Sequence, residues 1–488
     1  MSTPRTLACR ASRRFKNAVA PLNNISSTAR ASNIRFSSTT ALAEEETSGN
    51  NHEPPKLFGE ENKAKAIQFR YDLRKLKSEL AGLYSRQRLL KQMLTGPYSV
   101  QSPTVPTLIE QPEIKVQDDK VTVSKLVLPN IWLRDNCQCG NCVHDATKQR
   151  LLDTFSIPRD IAIKQHSFEG DVLNIEWSDG HKSEYAREFL AQTAKPAGKR
   201  AVIRQGLQGL HLWDSSIAKN PPKLKFDAPA DERLVHILKC LRNYGFCYVD
   251  AVPFDSPKAT ENLLRSISFI RETHYGGFYD FTADLASKDT AYTNIALEAH
   301  TDNTYFSDPA GLQAFHLLSH TDGEGGASLL VDGFSVAKEL HETDRQAYEI
   351  LSTVNVHAHA SGNEGISIQP YRSFPVLEHD PVTGHLLRVR WNSADRASIE
   401  LPVNEVEKWY DAARKFDALL KKKENEYWEQ LTPGRVLIFD NWRVLHGRSK
   451  FTGKRRICGG YLNRDDWISK YKMMKFGKDR VLGALATS

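Results

Sequence analysis

The sequence predicts a mainly β chain with flanking helices, its larger part a jelly-roll-like double sheet. Three observations carry that expectation. Short apolar runs of β-type composition recur from Leu312 to Phe439 between Gly- and Pro-rich turns. A separate strand-rich segment begins near Ile109, set off by a Ser/Pro/Thr run before it and a polar stretch after it. Helical periodicity is confined to a few places, the clearest in this part being Val403 to Leu420.

At 488 residues the chain is long enough for two or three domains and a large buried core. Its formal charge of +7 would suit an anionic partner, but the excess sits in one place. Residues 1–43 carry Arg5, Arg10, Arg13, Arg14, Lys16, Arg30 and Arg35 with no acid before Glu44, so setting those seven aside leaves no net charge. Rich in Ser, Thr and Ala, this segment has the composition of a mitochondrial transit peptide, with processing expected near Arg35–Ser38. No run of about 18 apolar residues occurs, so no membrane span is expected. Residues 44–108 read as a linker and then a basic helix over 60–94 that ends at Gly96-Pro97. That helix is expected to be a solvated element resting on the body, with no nucleic-acid partner.

Residues 109–205 read as a small β domain. Val121–Ser124 and Val172–Trp177 alternate in the β manner, and Ser178-Asp179-Gly180 supplies the turn after the second. Between them Cys137, Cys139 and Cys142 put three thiolates within six positions, and Gly140 is expected to let the loop fold back so that all face one ion. His181, on the turn after the strand, can complete a tetrahedral Cys3His site for zinc. Such a site is closed, so its expected role is folding stability. The other cysteines form no disulfide framework: Cys9 falls in the leader, and Cys240, Cys247 and Cys458 stand singly in apolar surroundings as small buried hydrophobes.

The larger domain, residues 206–488, opens with a polar connection that holds Trp213. A helical stripe from Asp231 stops at Asn243-Tyr244-Gly245, and Phe246–Val249 follows as a buried strand. Ser256-Pro257 opens a helix running to about Phe269. Leu312–Leu318, Ala327–Val331, Val354–Ala358, Leu386–Trp391 and Arg435–Phe439 then read as strands, with Val403–Leu420 the one helix expected among them.

In this domain His300 and Asp302 stand two apart, so in an extended segment they point to one face. His446 lies 146 positions later and follows the apolar run Val436–Phe439, which would bring it back across the sheet. Two imidazoles and a carboxylate make the facial triad that leaves three positions of an iron(II) ion open for chemistry. His316, His320, His357 and His359 are the rival ligands. Arg455 and Arg456 follow His446 by nine and ten positions, on the next expected strand. One guanidinium facing inward can grip the distal carboxylate of a 2-oxo diacid, and because neighbouring strand residues face opposite ways only one of the two should serve.

His300–Phe306, Leu330–Phe334, Asp440–Arg448 and Leu133–Cys137 together resemble the iron(II)/2-oxoglutarate dioxygenases of carnitine synthesis, over about Val116 to Lys470. The resemblance implies a double-stranded β-helix holding iron through His300, Asp302 and His446, and an N-terminal zinc domain bound by Cys137, Cys139, Cys142 and His181. It implies 2-oxoglutarate and dioxygen as co-substrates, with Arg455 and not Arg456 as the 2-oxoglutarate arginine; ascorbate is an expected cofactor. The family's substrates carry a trimethylammonium group, which is best held by aromatic faces. Tyr275, Tyr292 and Tyr461 match cage positions, and Tyr279 stands where these enzymes commonly have Trp. Arg390 is expected either to bind the amino-acid end of the substrate or to form a buried structural ion pair. A homodimer is the expected assembly.

Within the family, the leader and the wording around His300 and His446 favour hydroxylation of trimethyllysine at carbon 3, in the mitochondrial matrix, over formation of carnitine from γ-butyrobetaine. Two readings of other classes rank below it. One is a non-catalytic zinc-binding interaction module; the other is a nucleic-acid binder built on the 60–94 helix.

Overall fold

The structure is a computed structural model that describes residues 112–117, 119–193, 210–282, 293–381, 384–478 and 481–482. The expected leader, linker and 60–94 helix lie outside the described residues. In the first part, β1 (Ile114–Gln117), β2 (Lys120–Val123) and β3 (Leu126–Leu128) form a meander. A short helix, α1 (Asn130–Asp135), leads into the cysteine loop. Next, β4 (Ile163–Glu169), β5 (Val172–Trp177) and β6 (Lys182–Ala186) make a second three-stranded sheet, closed by α2 (Arg187–Thr193). Strand β5 alternates half-buried and buried positions, as a period of two demands when one face meets a core. Val121, Leu133, Ile175 and Trp177 belong to a hydrophobic core drawn from this stretch alone.

The second part runs β7 (Lys223–Lys225), α3 (Ala230–Tyr244), β8 (Phe246–Asp250), α4 (Lys258–Ile267), β9 (Tyr279–Thr282), β10 (Leu297–His300), β11 (Leu312–Thr321) and β12 (Ser328–Asp332). It continues through α5 (Gly333–Thr343), α6 (Arg345–Thr353), β13 (Asn355–Val356), β14 (Phe374–Pro375), β15 (Leu377–His379), β16 (Leu386–Val389) and α7 (Val403–Leu420). The last elements are β17 (Tyr427–Glu429), β18 (Val436–Asp440), β19 (Val444–Arg448), β20 (Lys454–Leu462) and α8 (Arg464–Phe476). One sheet has the order β7-β8-β18-β11-β20-β9 and the other β10-β19-β12-β17. From β9 to β12 and again from β17 to β20, strands consecutive in sequence alternate between them: β10, β12, β17 and β19 lie in the smaller sheet, β9, β11, β18 and β20 in the larger. That alternation is jelly-roll connectivity. Phe246, Leu317 and Phe439 of the larger sheet and Leu330 and Val444 of the smaller share one core. Helices α3, α4 and α8 cover the larger sheet through a second core, and α5, α6 and α7 pack on the smaller through a third.

Three helices fall where strands and turns are expected. The Asp332 carboxylate accepts from the Phe334 N–H at 3.1 Å, starting α5, and Asp344 accepts from the Ala347 N–H at 2.9 Å, starting α6. Their apolar stripes are two to three turns long, short enough to pass for strand residues. The third, α8, puts Trp467, Ile468 and Tyr471 into the core behind the larger sheet. Expected strand Val354–Ala358 shrinks to two residues: Pro375, opposite Asn355, has no N–H to extend the ladder at one end, and at the other His357 and Ala358 pair with Arg396 and Ala397 instead. The stretch around Trp213 is no bare connection either: the indole donates to the Tyr244 carbonyl at 2.6 Å and the backbone N–H to Asp332 at 3.1 Å. Gly245 ends α3 at φ 80°, and a Cβ there would meet Val444 Cγ2 at 2.7 Å, so glycine lets helix and sheet close up.

Candidate metal centres and substrate cavity

Strands β10 and β19 lie side by side with His300 directly opposite His446, which puts the two rings 4.3 Å apart. Two residues past His300 the chain turns, and Asp302 swings back beneath them. Asn441 clamps that turn, its Oδ1 accepting from the Asp302 N–H at 2.8 Å and its Nδ2 donating to the Asp302 carbonyl at 2.9 Å. Asn303 follows in the left-handed region at φ 62°, a conformation that costs energy outside glycine and is held here by the surroundings. Asp302 Oδ1 then stands 3.3 Å from His300 Nε2 and 3.9 Å from His446 Nε2. Upstream of His446, buried Arg443 pairs with Asp332 at 2.8 Å and donates to the carbonyls of Asn243 and His211, fixing where β19 begins.

The electrostatics suit a divalent cation. His300 Nδ1 donates to the Glu298 carbonyl at 2.7 Å, which leaves the Nε2 lone pair directed at the centre. Burial, reinforced by His300, pushes the His446 imidazole down to about 3, so it is a neutral donor. Although burial opposes it, the two imidazoles and the Tyr461 hydroxyl hold the Asp302 carboxyl well below its usual range. Against the pull of burial, Asp302 raises the pKa of the His300 imidazole, and a cation bound at Nε2 would take the place of the added proton. Two imidazole nitrogens and one carboxylate oxygen, within 4.8 Å of one another, are the donor set of an iron(II) facial triad.

A cavity of about 460 Å³ opens on this cluster, within the size range of small-molecule sites. Buried Arg455 lines it, and its Nε finds no hydrogen-bond partner among the described residues. Its guanidinium lies 3.0 Å from where a Gly326 Cβ would be, so Gly326 makes the room it occupies. Arg456, one position on, faces the opposite way and pairs with Asp280 at 2.6 Å. Tyr275, Tyr279 and Tyr461 also line the cavity. The Tyr279 hydroxyl donates to the Ala314 carbonyl at 2.7 Å, and its ring meets Tyr461 edge-on at 6.0 Å. Tyr292 lies outside the described residues.

Arg390 does not line this cavity. Its guanidinium pairs with Glu378 at 3.2 Å and donates to the carbonyls of Thr304, Phe306 and Ser307 at 3.2, 2.9 and 2.8 Å, so its donors are committed to holding that loop. The rival histidines are elsewhere: His316 faces the helices and bonds Thr260 at 2.6 Å, His320 bonds the Thr452 carbonyl, and His357 sits beside Glu400. Gln313 and Asn441 escaped the sequence reading. A lone amide at an inward position of the apolar run Leu312–Leu318 was the available signal, because buried polar groups need partners.

The second cluster is in the first part of the chain. His181 Nε2 stands 3.3, 3.6 and 3.5 Å from the sulfurs of Cys137, Cys139 and Cys142. A tetrahedral zinc with ordinary Zn–S and Zn–N lengths gives an edge of about 3.6 Å, so the residues present fit that ion. Arg134 donates to the Cys142 sulfur at 3.4 Å and pairs with Asp179 at 2.9 Å, which in turn receives the His181 N–H. Gly140 is not what folds the loop: it has no positive φ and a Cβ there would meet nothing. Backbone N–H groups of Cys142 and Val143 both reach the Cys139 carbonyl, and those bonds make the turn.

Comparison with known proteins agrees with this geometry. The model of the "Taurine catabolism dioxygenase TauD, TfdA family" matches residues 209–461, and that of "Gamma-butyrobetaine hydroxylase-like, N-terminal" matches 110–191. The chain is 47% identical over 395 residues to trimethyllysine dioxygenase of Neurospora crassa, covering 73% of this chain and 83% of that one. It is 38% identical to the human protein named "Trimethyllysine dioxygenase, mitochondrial", covering 70% of this chain and 82% of that one. To γ-butyrobetaine dioxygenase of Pongo abelii the identity is 30%, over 71% of this chain and 91% of the relative. The chain belongs to the TauD/TfdA dioxygenase family, in the branch that holds the trimethyllysine and γ-butyrobetaine dioxygenases.

Proposed function

We propose that the chain hydroxylates N6,N6,N6-trimethyllysine at carbon 3 in an iron(II)- and 2-oxoglutarate-dependent reaction. One oxygen of dioxygen enters the carbon–hydrogen bond; the other enters 2-oxoglutarate, which leaves as succinate and carbon dioxide. The observation that carries this reading is the convergence of His300, Asp302 and His446 at the wall of a cavity also lined by buried Arg455, whose Nε has no hydrogen-bond partner among the described residues. When bound, iron(II) supplies dioxygen activation coupled to oxidation of the 2-oxo acid.

His300, Asp302 and His446 hold the metal on one side. Arg455 grips the distal carboxylate of 2-oxoglutarate in a charge-assisted pair and so sets the direction in which the 2-oxo acid enters. Tyr275, Tyr279, Tyr461 and, by its sequence position, Tyr292 offer aromatic faces to the trimethylammonium group, which has no proton to donate. Ascorbate keeps the metal ferrous. In residues 109–205 the Cys3His cluster takes zinc as a structural ion, leaving 206–488 as the catalytic domain. Residues 1–43 direct the chain to the mitochondrial matrix, in keeping with the names of the mammalian relatives. The assembly is taken to be a homodimer.

Greater identity to the trimethyllysine enzymes, 47% and 38% against 30%, favours that substrate over γ-butyrobetaine. Incubating purified protein with iron(II), 2-oxoglutarate, ascorbate and each betaine separately tests it. Turnover of trimethyllysine is the expected result; turnover of γ-butyrobetaine alone would reassign the chain to the sister activity.

A further inference from the structure

We propose that Gln313 is a positioning residue for Asp302, acting with Tyr461 to hold that carboxylate in one orientation; this rests on reading His300, Asp302 and His446 as the iron ligands. The two oxygens of Asp302 have different surroundings. Oδ1 faces the imidazoles, 3.3 Å from His300 Nε2 and 3.9 Å from His446 Nε2. Oδ2 accepts two hydrogen bonds, from Gln313 Nε2 at 2.7 Å and from the Tyr461 hydroxyl at 2.7 Å. The Gln313 amide also donates to the Tyr461 oxygen at 3.3 Å, closing a triangle.

The register of the larger sheet explains how these groups meet. Gln313 of β11 stands directly opposite Tyr461 of β20, so both side chains rise on the same face, and Asp302 hangs over them from the end of β10. Gln313 is 2% exposed, and its amide oxygen has no partner among the described residues. The bond to Asp302 sets the orientation of the amide, because turning it over would put two oxygens against each other at 2.7 Å. A carboxylate free to rotate offers both oxygens to a metal, and a second bond would occupy a position that a co-substrate needs. Two donors on Oδ2 keep Asp302 a one-oxygen ligand and leave the open side open. Tyr461 joins this clamp to the cavity, since its ring meets Tyr279 among the aromatic faces offered to the substrate cation.

Gln313→Met removes the donor and keeps the length of the side chain; Tyr461→Phe removes the hydroxyl and keeps the ring. The full-length protein and both variants are titrated anaerobically with iron(II), and turnover is followed as succinate formed per hydroxylated product. Each variant is expected to bind iron(II) about 10- to 100-fold more weakly than the parent, and its succinate-to-product ratio to rise above the parent's. Melting temperatures measured alongside separate this from packing. A variant that melts lower yet matches the parent in iron affinity and in coupling overturns the proposal. Should Gln313→Met fail to fold, Tyr461→Phe decides alone, because it removes the other bond to the same oxygen. A parent that takes up no iron(II) overturns the ligand reading and the proposal with it, which distinguishes the two failures.

Discussion

The two clusters of metal-type ligands in this chain differ in closure. Cys137, Cys139, Cys142 and His181 come from one short stretch, sit against a core of their own, and fill a tetrahedron. His300, Asp302 and His446 are brought together by β10 and β19 from 146 positions apart, and supply three donors on one side of a cavity. A closed donor set supports folding, whereas an open one leaves room for reactants. The same contrast holds one layer out. Around the sulfurs, Arg134 is spent on Cys142 and Asp179; beside His300, Asp302 and His446, Arg455 lines the cavity with its Nε unmatched among the described residues.

The largest effect should come from Asp302→Ala. Losing the carboxylate removes the anionic ligand, and hydroxylation should fall by about a thousandfold or more while zinc content is unchanged. Retention of activity would mean the clusters are not functionally distinct. Cys142→Ser should do the reverse, losing zinc and unfolding the core around Trp177 while iron(II) affinity at the second centre stays within about twofold. Elemental analysis with calorimetry reads both. Arg455→Met should raise the KM for 2-oxoglutarate by about 100-fold, since it leaves a bound carboxylate without its cation, and should change the KM for the betaine much less. A uniform fall in both would point to misfolding.

The smallest effect concerns a histidine outside either cluster. Burial pushes His316 down to about 4, so it is neutral when folded and titrates near 6.5 when unfolded. The unfolded state therefore binds the extra proton, and the stability present above about pH 6.5 is lost as pH falls toward 4. In His316→Gln that acid slope should flatten by one group's share, read from melting temperatures between pH 7 and 4. An unchanged slope would exclude His316 as a contributor.

Legibility from sequence followed the range of the physical signal. The clustering of Cys137, Cys139, Cys142 and His181 could be read because the three cysteines fall within six positions and His181 lies on a turn marked by Ser178-Asp179-Gly180. The cluster of His300, Asp302 and His446 was legible only as a pair plus a distant candidate; residue types could not say which of the fifteen other histidines would return beside His300, and strand register answers that. Alternation along β20 separates Arg455 from Arg456, and the structure places Arg455 at the cavity and Arg456 against Asp280. Helices α5 and α6 were missed because their stripes are short and their starts depend on aspartates that serve equally as turn residues. Arg390 was left open between two roles because a buried arginine looks the same in sequence whether it meets a ligand or, as here, three carbonyls and Glu378.

Anaerobic addition of 2-oxoglutarate to the iron(II)-loaded protein bears most directly on the open centre. If His300, Asp302 and His446 hold iron on one side and Arg455 anchors the 2-oxo acid on the other, a weak visible charge-transfer band should grow in with 2-oxoglutarate, and Asp302→Ala should lack it. Iron-loaded protein that shows no such band with saturating 2-oxoglutarate, or an Asp302→Ala variant that shows the parent's band, would contradict that arrangement.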